Sequence, residues 1–263
     1  MVLPLSDDNT GRRIIPFVNY VFIALNVLVF VVFQEMGANH RFTFAFATVP
    51  REIVTGYDAV TEDQQVEHPV TGQTVLIPGL QQTPGSVYLT LLTSMFMHGG
   101  IIHLLGNMLF LWIFGDNVED DLGHWRYALF YLVCGVLASL AHVFTTVALE
   151  GVDSEAALIP SLGASGAISG VLGGYLLLHP QRRVLVLVFR ILTYVPAYVA
   201  IGMWFLFQLV SGLGVLGQGT KQGGVAYAAH IGGFLAGVAL VKLFALGRRR
   251  VLWEPRPARR WTT

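Results

Sequence analysis

The residue with the clearest chemical potential is Ser165, in a Gly-Ala-Ser-Gly sequence at 163–166. It lies where a polar loop gives way to an apolar, glycine-rich segment that stops before Pro180, a residue that cannot continue a helix. The pattern predicts a helix over 165–178. The first amide groups of a helix lack partners within the helix and carry partial positive charge. The Ser165 hydroxyl would therefore have oxyanion donors beside it, its own backbone N–H among them.

This predicted helix is short for a membrane span. Its fourteen residues cover about 21 Å at 1.5 Å per residue, whereas the hydrocarbon core of a bilayer is about 30 Å thick. A helix starting from one face would leave its serine roughly 10 Å below the other face. A polar loop at that depth requires surrounding protein or water. A buried serine with access to water is what hydrolysis inside a membrane would need.

A histidine in the last apolar segment, His230, is a candidate general base. Small residues share a helix face with His230, and others form a face of their own on the helix that starts at Ser165, at helical spacing. Such a row of small residues, here called a seam, lets two helices approach closely. The residues are Ala226, Gly233 and Gly237 around the histidine, and Gly166, Gly170 and Gly174 after the serine. Close approach would bring the imidazole to the Ser165 hydroxyl, which needs a base to become a nucleophile. The alternative is that His230 only hydrogen-bonds a backbone carbonyl in the bundle.

A further polar pair, His103 and Asn107, is four residues apart in another apolar segment and so shares a helix face. Both side chains can donate hydrogen bonds, which suits a developing oxyanion better than proton transfer. His98, at the edge of the same segment, is a candidate for this role or for orienting the loop. The alternative for these residues is hydrogen bonding between helices.

Other chemistries lack their motifs. The sequence has no His-Glu-x-x-His, no phosphate-binding GxxxxGK[ST] and no pair of aspartates in two spans, so we expect no metal and no cofactor. The formal net charge of zero argues against a nucleic-acid partner. A transporter would show interrupted helices in two matching halves, and only one half has such a segment.

The composition predicts an all-α polytopic membrane protein in contact with a lipid bilayer. Of the 263 residues, 54% are hydrophobic and 12% are charged, against about 25% charged residues in soluble domains. Uncharged apolar runs predict six membrane-spanning helices. Their approximate bounds are 14–34, 96–115, 127–147, 165–178, 191–211 and 225–246. The fifth helix is expected to begin earlier, near Val184. Four acidic residues at 116–121 are expected to cap the turn that follows the second helix.

Basic residues predict that both termini are cytoplasmic, in a membrane of the bacterial plasma-membrane type. Of sixteen Lys and Arg residues, those on the other side would be Arg41, Arg51 and Lys221. The predicted layout is a cytoplasmic N-terminus (1–13), a membrane domain (14–246) with a long outer loop (35–90), and a basic tail (247–263). The tail would meet anionic lipid headgroups. The loop residues 58–75 are polar and carry no predicted role.

The polar sequences Gly-x-Ser-Gly, His-x-x-x-Asn and Ala-His-x-x-Gly-x-x-x-Gly, in register on six predicted spans, resemble the rhomboid family of intramembrane serine proteases. The resemblance covers about residues 90–246. It implies a six-helix rhomboid-like bundle with Ser165 as nucleophile and His230 as general base. It also implies an oxyanion hole that includes His103 and Asn107. No acidic third member is visible, so the resemblance implies a dyad.

The resemblance further implies substrates that are transmembrane segments of other proteins, entering laterally past the 191–211 helix and the glycine-rich 212–224 segment. Two features depart from the family pattern. Some members have a tyrosine four residues after the serine that stacks on the base; here that residue is Ser169, so another group must hold His230. Some members carry a Trp-Arg pair in the first outer loop, which here has no tryptophan. Because the serine and histidine are both present, the sequence favours a protease over a non-catalytic rhomboid-like protein that binds transmembrane clients.

Overall fold

The computed structural model of the protein describes residues 2–67, 74–188, 190–218 and 227–247, and these are mostly helical. The helices are α1 (Phe17–Leu28), α2 (His40–Phe46), α3 (Pro50–Thr55), α4 (Thr90–Thr93), α5 (Ile101–Leu122), α6 (His124–Glu150), α7 (Ser165–Leu178), α8 (Ala197–Gln218) and α9 (Tyr227–Phe244). The strands are β1 (Val2–Asp7), β2 (Gln64–Glu67), β3 (Thr74–Ile77), β4 (Arg183–Val188) and β5 (Ile191–Pro196). Lys221, Ala226 and the tail residues 248–263 lie outside the described ranges.

Three of the described helices, α5, α6 and α9, are long and apolar enough to cross a membrane. Helix α7 and helix α1 with its π-helical extension to Phe33 are apolar but shorter. Large apolar side chains also remain exposed on the outside of the bundle, as on Ile102 and Leu213. A helix that is apolar on all sides is typical of a membrane environment. The prediction of a polytopic, mostly helical membrane protein is therefore confirmed, but the all-α class is wrong in detail because the described residues also form five strands in two small sheets. The number of six spans stays a prediction.

The prediction that the fifth helix begins near Val184 is wrong. Residues 183–188 and 191–196 form an antiparallel hairpin in which Val184 lies opposite Val195. Strand β1 pairs with the other edge of β4, giving a three-stranded sheet in the order β1-β4-β5. The alternating valines of β4 favour a strand, because β-branched side chains pack well on a pleated surface. Pro196 then marks the end of the strand, and α8 begins at the next residue, since proline is poorly tolerated inside a helix.

The sequence predicts that the fifth span ends at residue 211 and that the glycine-rich 212–224 segment after it is a flexible cap, and here the structure differs. Residues 212–218 continue α8, so they are helical and do not form a loop. Residues 219–224 lie outside the described part of the chain. In the outer loop, residues 64–67 and 74–77 pair as the antiparallel strands β2 and β3, and the residues between them are not described.

The sequence predicts that the acidic residues at the end of α5 cap the turn that follows. Glu119 does contact His124 there, but most of the contacts of these acidic residues lie elsewhere. They belong to the last two turns of α5 and contact the N-terminal segment. Glu119 accepts hydrogen bonds from the backbone N–H groups of Val18 (2.9 Å) and Asn19 (2.7 Å). Asp120 accepts from the backbone N–H of Ile14 at 2.9 Å. These carboxylates therefore supply partners for amide groups at and just before the start of α1, which have none within that helix.

Helices α7 and α9 pack along their glycines, with almost no space between the two backbones. A Cβ atom added at Gly233 would lie 2.1 Å from the Gly166 carbonyl oxygen, and one at Gly237 would lie 2.0 Å from that of Gly170. On its other side, α7 packs against α6, where a Cβ on Gly170 would lie 2.4 Å from Cys134 Cβ. This seam sets how closely the first residues of α7 and α9 approach each other.

Candidate active site

Ser165 is the first residue of α7, and the loop before it is held at two points. Ser161 and Thr48 form an isolated antiparallel bridge, with backbone N···O distances of 2.8 and 2.9 Å. The Gly163 N–H donates to the carbonyl of Ser94 at 2.9 Å. Gly163 has a φ of +127°, which side-chain-bearing residues rarely adopt. A Cβ there would also lie 2.9 Å from His103 Cε1, so both the turn and the site require glycine at this position.

The structure brings Ser165 and His230 together. His230 lies in the first turn of α9, and its Nε2 is 2.8 Å from Ser165 Oγ. Both residues are partly exposed at the surface of the bundle. The geometry is that of a nucleophile and its base within hydrogen-bond reach.

The other ring nitrogen of His230 contacts a residue that the sequence analysis missed. His230 Nδ1 lies 2.8 Å from Oε1 of Gln208 on α8, and Gln208 is only 6% exposed. The rings of Trp204 and Tyr227 flank the imidazole at centroid distances of 6.2 and 6.5 Å. An amide in an otherwise apolar predicted helix is costly and usually has a function, which is the signal that would have identified Gln208.

Ser169 is at the position of the tyrosine found in some family members, and its hydroxyl bonds the backbone and not the His230 ring. Its hydroxyl is buried and donates to the backbone carbonyl of Ser165 at 2.6 Å. This bond belongs to the first turn of α7 and indicates a structural role.

His103 lies in the first turn of α5, beside the loop that leads to Ser165. Its Nδ1 accepts a hydrogen bond from the Gly99 N–H at 3.3 Å. The ring proton must then reside on Nε2, which faces the space next to Gly163. His103 is thus a hydrogen-bond donor on the serine side of the site.

Asn107 and His98 are both buried near this end of α5. Asn107 is 8% exposed, and its Nδ2 has no hydrogen-bond partner within the described residues. The His98 ring meets that of His103 edge-on at 5.1 Å. The backbone of His98 is held by Gln34, whose amide accepts from the His98 N–H (2.8 Å) and donates to its carbonyl (3.0 Å). Gln34 is a second residue that the sequence analysis missed.

Among the described residues, no group of three or more His, Cys, Asp or Glu side chains is arranged to hold a metal ion.

Comparison with known proteins assigns the family. The sequence model of the rhomboid domain matches residues 85–246, which is more than half of the chain. The mitochondrial Rhomboid protein 1 of Saccharomyces cerevisiae is 33% identical over 154 residues, covering 57% of this chain and 40% of the relative. The Rhomboid protease GluP of Bacillus subtilis is 32% identical over 166 residues, covering 60% and 28%. RHOMBOID-like protein 4 of Arabidopsis thaliana is 36% identical over 151 residues, covering 57% and 32%.

The chain thus spans less than half the length of these relatives. Residues 85–246, which the rhomboid-domain model matches, contain the serine, the histidines and the glycine seam described above. The matching segment, together with its apolar helices, shows that the chain is an integral membrane protein and belongs to the rhomboid family.

Proposed function

We propose that this protein is an intramembrane serine endopeptidase that cleaves transmembrane segments of other membrane proteins. The observation that carries the proposal is the 2.8 Å contact between Ser165 Oγ and His230 Nε2 at the start of two closely packed helices. A relative that is named as a rhomboid protease supports the same reaction class. In this proposal Ser165 is the nucleophile and His230 is the general base.

The reaction would follow the course of acyl transfer to a serine. His230 Nε2 takes the Ser165 hydroxyl proton as Oγ attacks the carbonyl carbon of the substrate peptide bond. The imidazolium returns that proton to the leaving nitrogen as the C–N bond breaks, which leaves an ester on Ser165. Water then attacks the ester while His230 takes one of its protons, and the imidazolium gives that proton to Ser165 Oγ as the ester C–O bond breaks. The products are a new carboxyl terminus and the free serine.

Three donors are proposed for the oxyanion that forms in each step: the Ser165 backbone N–H, His103 Nε2–H and the Asn107 side-chain amide. The first lies at a helix N-terminus, where amide groups lack internal partners. The second carries its proton because Gly99 donates to the opposite ring nitrogen. Asn107 has a buried N–H group without a partner in the described residues. We assign His98, which packs against His103, to holding that ring in place.

The proposal includes the predicted architecture of six spans within 14–246. The basic residues favour both termini on the cytoplasmic side. Ser165 would then lie toward the opposite face, and substrates would approach laterally beside α8. A bacterial-type plasma membrane stays a prediction, because relatives in yeast and animals are named as mitochondrial proteins.

The test uses a fluorescent fluorophosphonate that forms a covalent bond with activated serines. The full chain in detergent should be labelled, and Ser165→Ala should abolish labelling. His230→Ala should reduce the labelling rate by about 10⁴-fold or more, as for the loss of a catalytic base, with unchanged melting temperature. Ser169→Ala, which removes the neighbouring buried hydroxyl, is the matched control and should still be labelled.

Two outcomes would contradict the proposal. Labelling that persists in Ser165→Ala would place the nucleophile elsewhere. A folded wild-type protein that is neither labelled nor able to cleave a transmembrane substrate would instead be a non-catalytic binder of transmembrane clients.

A further inference from the structure

The environment of His230 determines which of its nitrogens carries the proton. The imidazole makes two polar contacts, to Ser165 through Nε2 and to Gln208 through Nδ1, both at 2.8 Å. The Gln208 atom in contact is the amide oxygen, which can only accept a hydrogen bond. Nδ1 must then be the protonated nitrogen, and Nε2 presents its lone pair to the serine hydroxyl. This is the tautomer that a general base requires.

The helices around His230 offer no charged group for this purpose. Neither 197–213 nor 227–244 contains an aspartate or glutamate. The rings of Trp204 and Tyr227 confine the imidazole, but in the described part of the chain the partner of Nδ1 is Gln208. A neutral acceptor orients the ring without burying a charge, which would be costly in this apolar setting.

We propose that Gln208 is a positioning residue for His230. The site is then a hydrogen-bonded chain of Ser165, His230 and Gln208, whose members lie on three different helices. The inference rests on the proposed function and extends it by one residue. It also identifies the group that replaces the aromatic residue found in some family members beside the base. Because α8 carries this residue, the base is correctly oriented only when α8 is packed against α9.

The first experiment measures the rate of fluorophosphonate labelling of Ser165 in detergent for three substitutions. Gln208→Leu removes the acceptor and should lower the rate by about 10-fold to 100-fold, less than the roughly 10⁴-fold loss when a base is forced into the wrong tautomer. Gln208→Glu keeps an oxygen at the same position and should stay within a few-fold of wild type. Phe207→Leu, a neighbouring residue that is 63% exposed, is the control and should have no effect.

A second measurement reads the tautomer directly and does not depend on protease activity. In protein containing ¹⁵N-labelled histidine, the His230 signals are those lost in His230→Ala. The wild-type spectrum should show a proton on Nδ1 and none on Nε2. Gln208→Leu should shift part of the population to the Nε2 proton, and Gln208→Glu should restore the Nδ1 proton. A purely structural role for Gln208 would leave the tautomer unchanged.

The outcomes separate the two proposals. If Ser165 labelling depends on His230 but Gln208→Leu reacts at the wild-type rate, the positioning role is wrong and the proposed protease function stands. A wild-type His230 protonated on Nε2 would also overturn the inference, since Gln208 would then donate to the ring. If the wild type is not labelled, the protease function falls, and the tautomer measurement still decides whether Gln208 orients His230.

Discussion

The two ends of α7 satisfy their polar groups in different ways. At its start, Ser165, His230 and Gln208 are joined by single hydrogen bonds between uncharged groups. Near its other end, the Tyr175 hydroxyl donates to Asp7 at 2.7 Å. Asp7 belongs to a cluster of charged groups that includes Arg12 paired with Asp116, Arg13 paired with Asp120, and His179 beside Asp121.

The difference indicates a division between stability and reactivity. The charged cluster joins β1, the N-terminal segment, α5 and α7 through buried carboxylates such as Asp116 and Asp120, and removing such a carboxylate leaves the groups that it contacts without a partner. Among the described residues, the start of α7 has no ion pairs of this kind. The hydroxyl and imidazole groups there are therefore not tied to a charged partner and can interact with a substrate. Substitutions in the cluster should therefore change stability, and substitutions at the serine end should change reactivity.

Glu119→Ala should have the largest effect on stability. Glu119 is 0% exposed, accepts from the N–H groups of Val18 and Asn19, and lies 2.6 Å from His124 Nδ1. Its loss leaves those N–H groups buried without partners, which should lower the free energy of unfolding by about 3 to 5 kcal/mol. Unfolding in detergent measures this loss. The fraction that remains folded should still label at Ser165.

The control for this substitution is Glu150→Ala, at the exposed end of α6, which should change stability by less than about 0.5 kcal/mol. Equal stability of the two variants would show that the carboxylate contacts of α1 contribute little. A folded Glu119→Ala protein that no longer labels would show that the two ends of α7 are coupled.

Gly233→Ala should affect both properties, because the glycine seam connects them. The new Cβ would lie 2.1 Å from the carbonyl oxygen of Gly166, the residue after the serine. The backbones must separate, at a cost of about 3 kcal/mol, and the contact between Ser165 and His230 should be lost. Gly202→Ala, where a Cβ meets nothing within 4 Å, is the matched control. Normal labelling of Gly233→Ala would show that the site tolerates a wider seam.

Local sequence patterns predicted the elements whose determinants are close together in the chain. The bounds of α7 follow from its polar start and from the proline that comes after it. The face shared by His230 and the glycines of α9 follows from helical spacing alone. The absence of an aromatic residue at Ser169 correctly raised the question of what holds the base.

Contacts between distant segments were not predictable in this way. Strand β1 pairs with residues about 180 positions later in the chain, and neither strand has a pattern that specifies the other. The acidic residues of α5 have partners in the N-terminal segment, so their role appeared only in three dimensions. Gln208 contacts His230 because of how α8 is rotated against α9, which a single helical pattern does not determine.

The charged cluster should also make stability depend on pH. Burial raises the pKa of Asp7 from its ordinary value of 3.8 to about 7, since the carboxylate is poorly solvated where it accepts from Tyr175 and Asn117. Burial likewise raises the pKa of Glu52 in the outer loop to about 7. Both groups hold a proton more tightly in the folded state than in the unfolded state. Stability should therefore be highest below about pH 4 as far as these groups are concerned, and should fall as the pH rises from about 4 to about 7.

Asp7→Asn should remove the Asp7 part of this dependence, which is about 2 kcal/mol between pH 5 and 7 and is the smallest of the three effects. The asparagine oxygen can still accept from Tyr175 and Asn117, so the variant resembles the protonated form and should be more stable than wild type near pH 8. Melting temperatures from pH 4 to 8 measure the slope, and the double variant with Glu52→Gln should flatten it further. If Asp7→Asn instead melts lower than wild type at every pH, the ionised carboxylate stabilises the cluster, and the charged end of α7 depends on a negative charge at this residue.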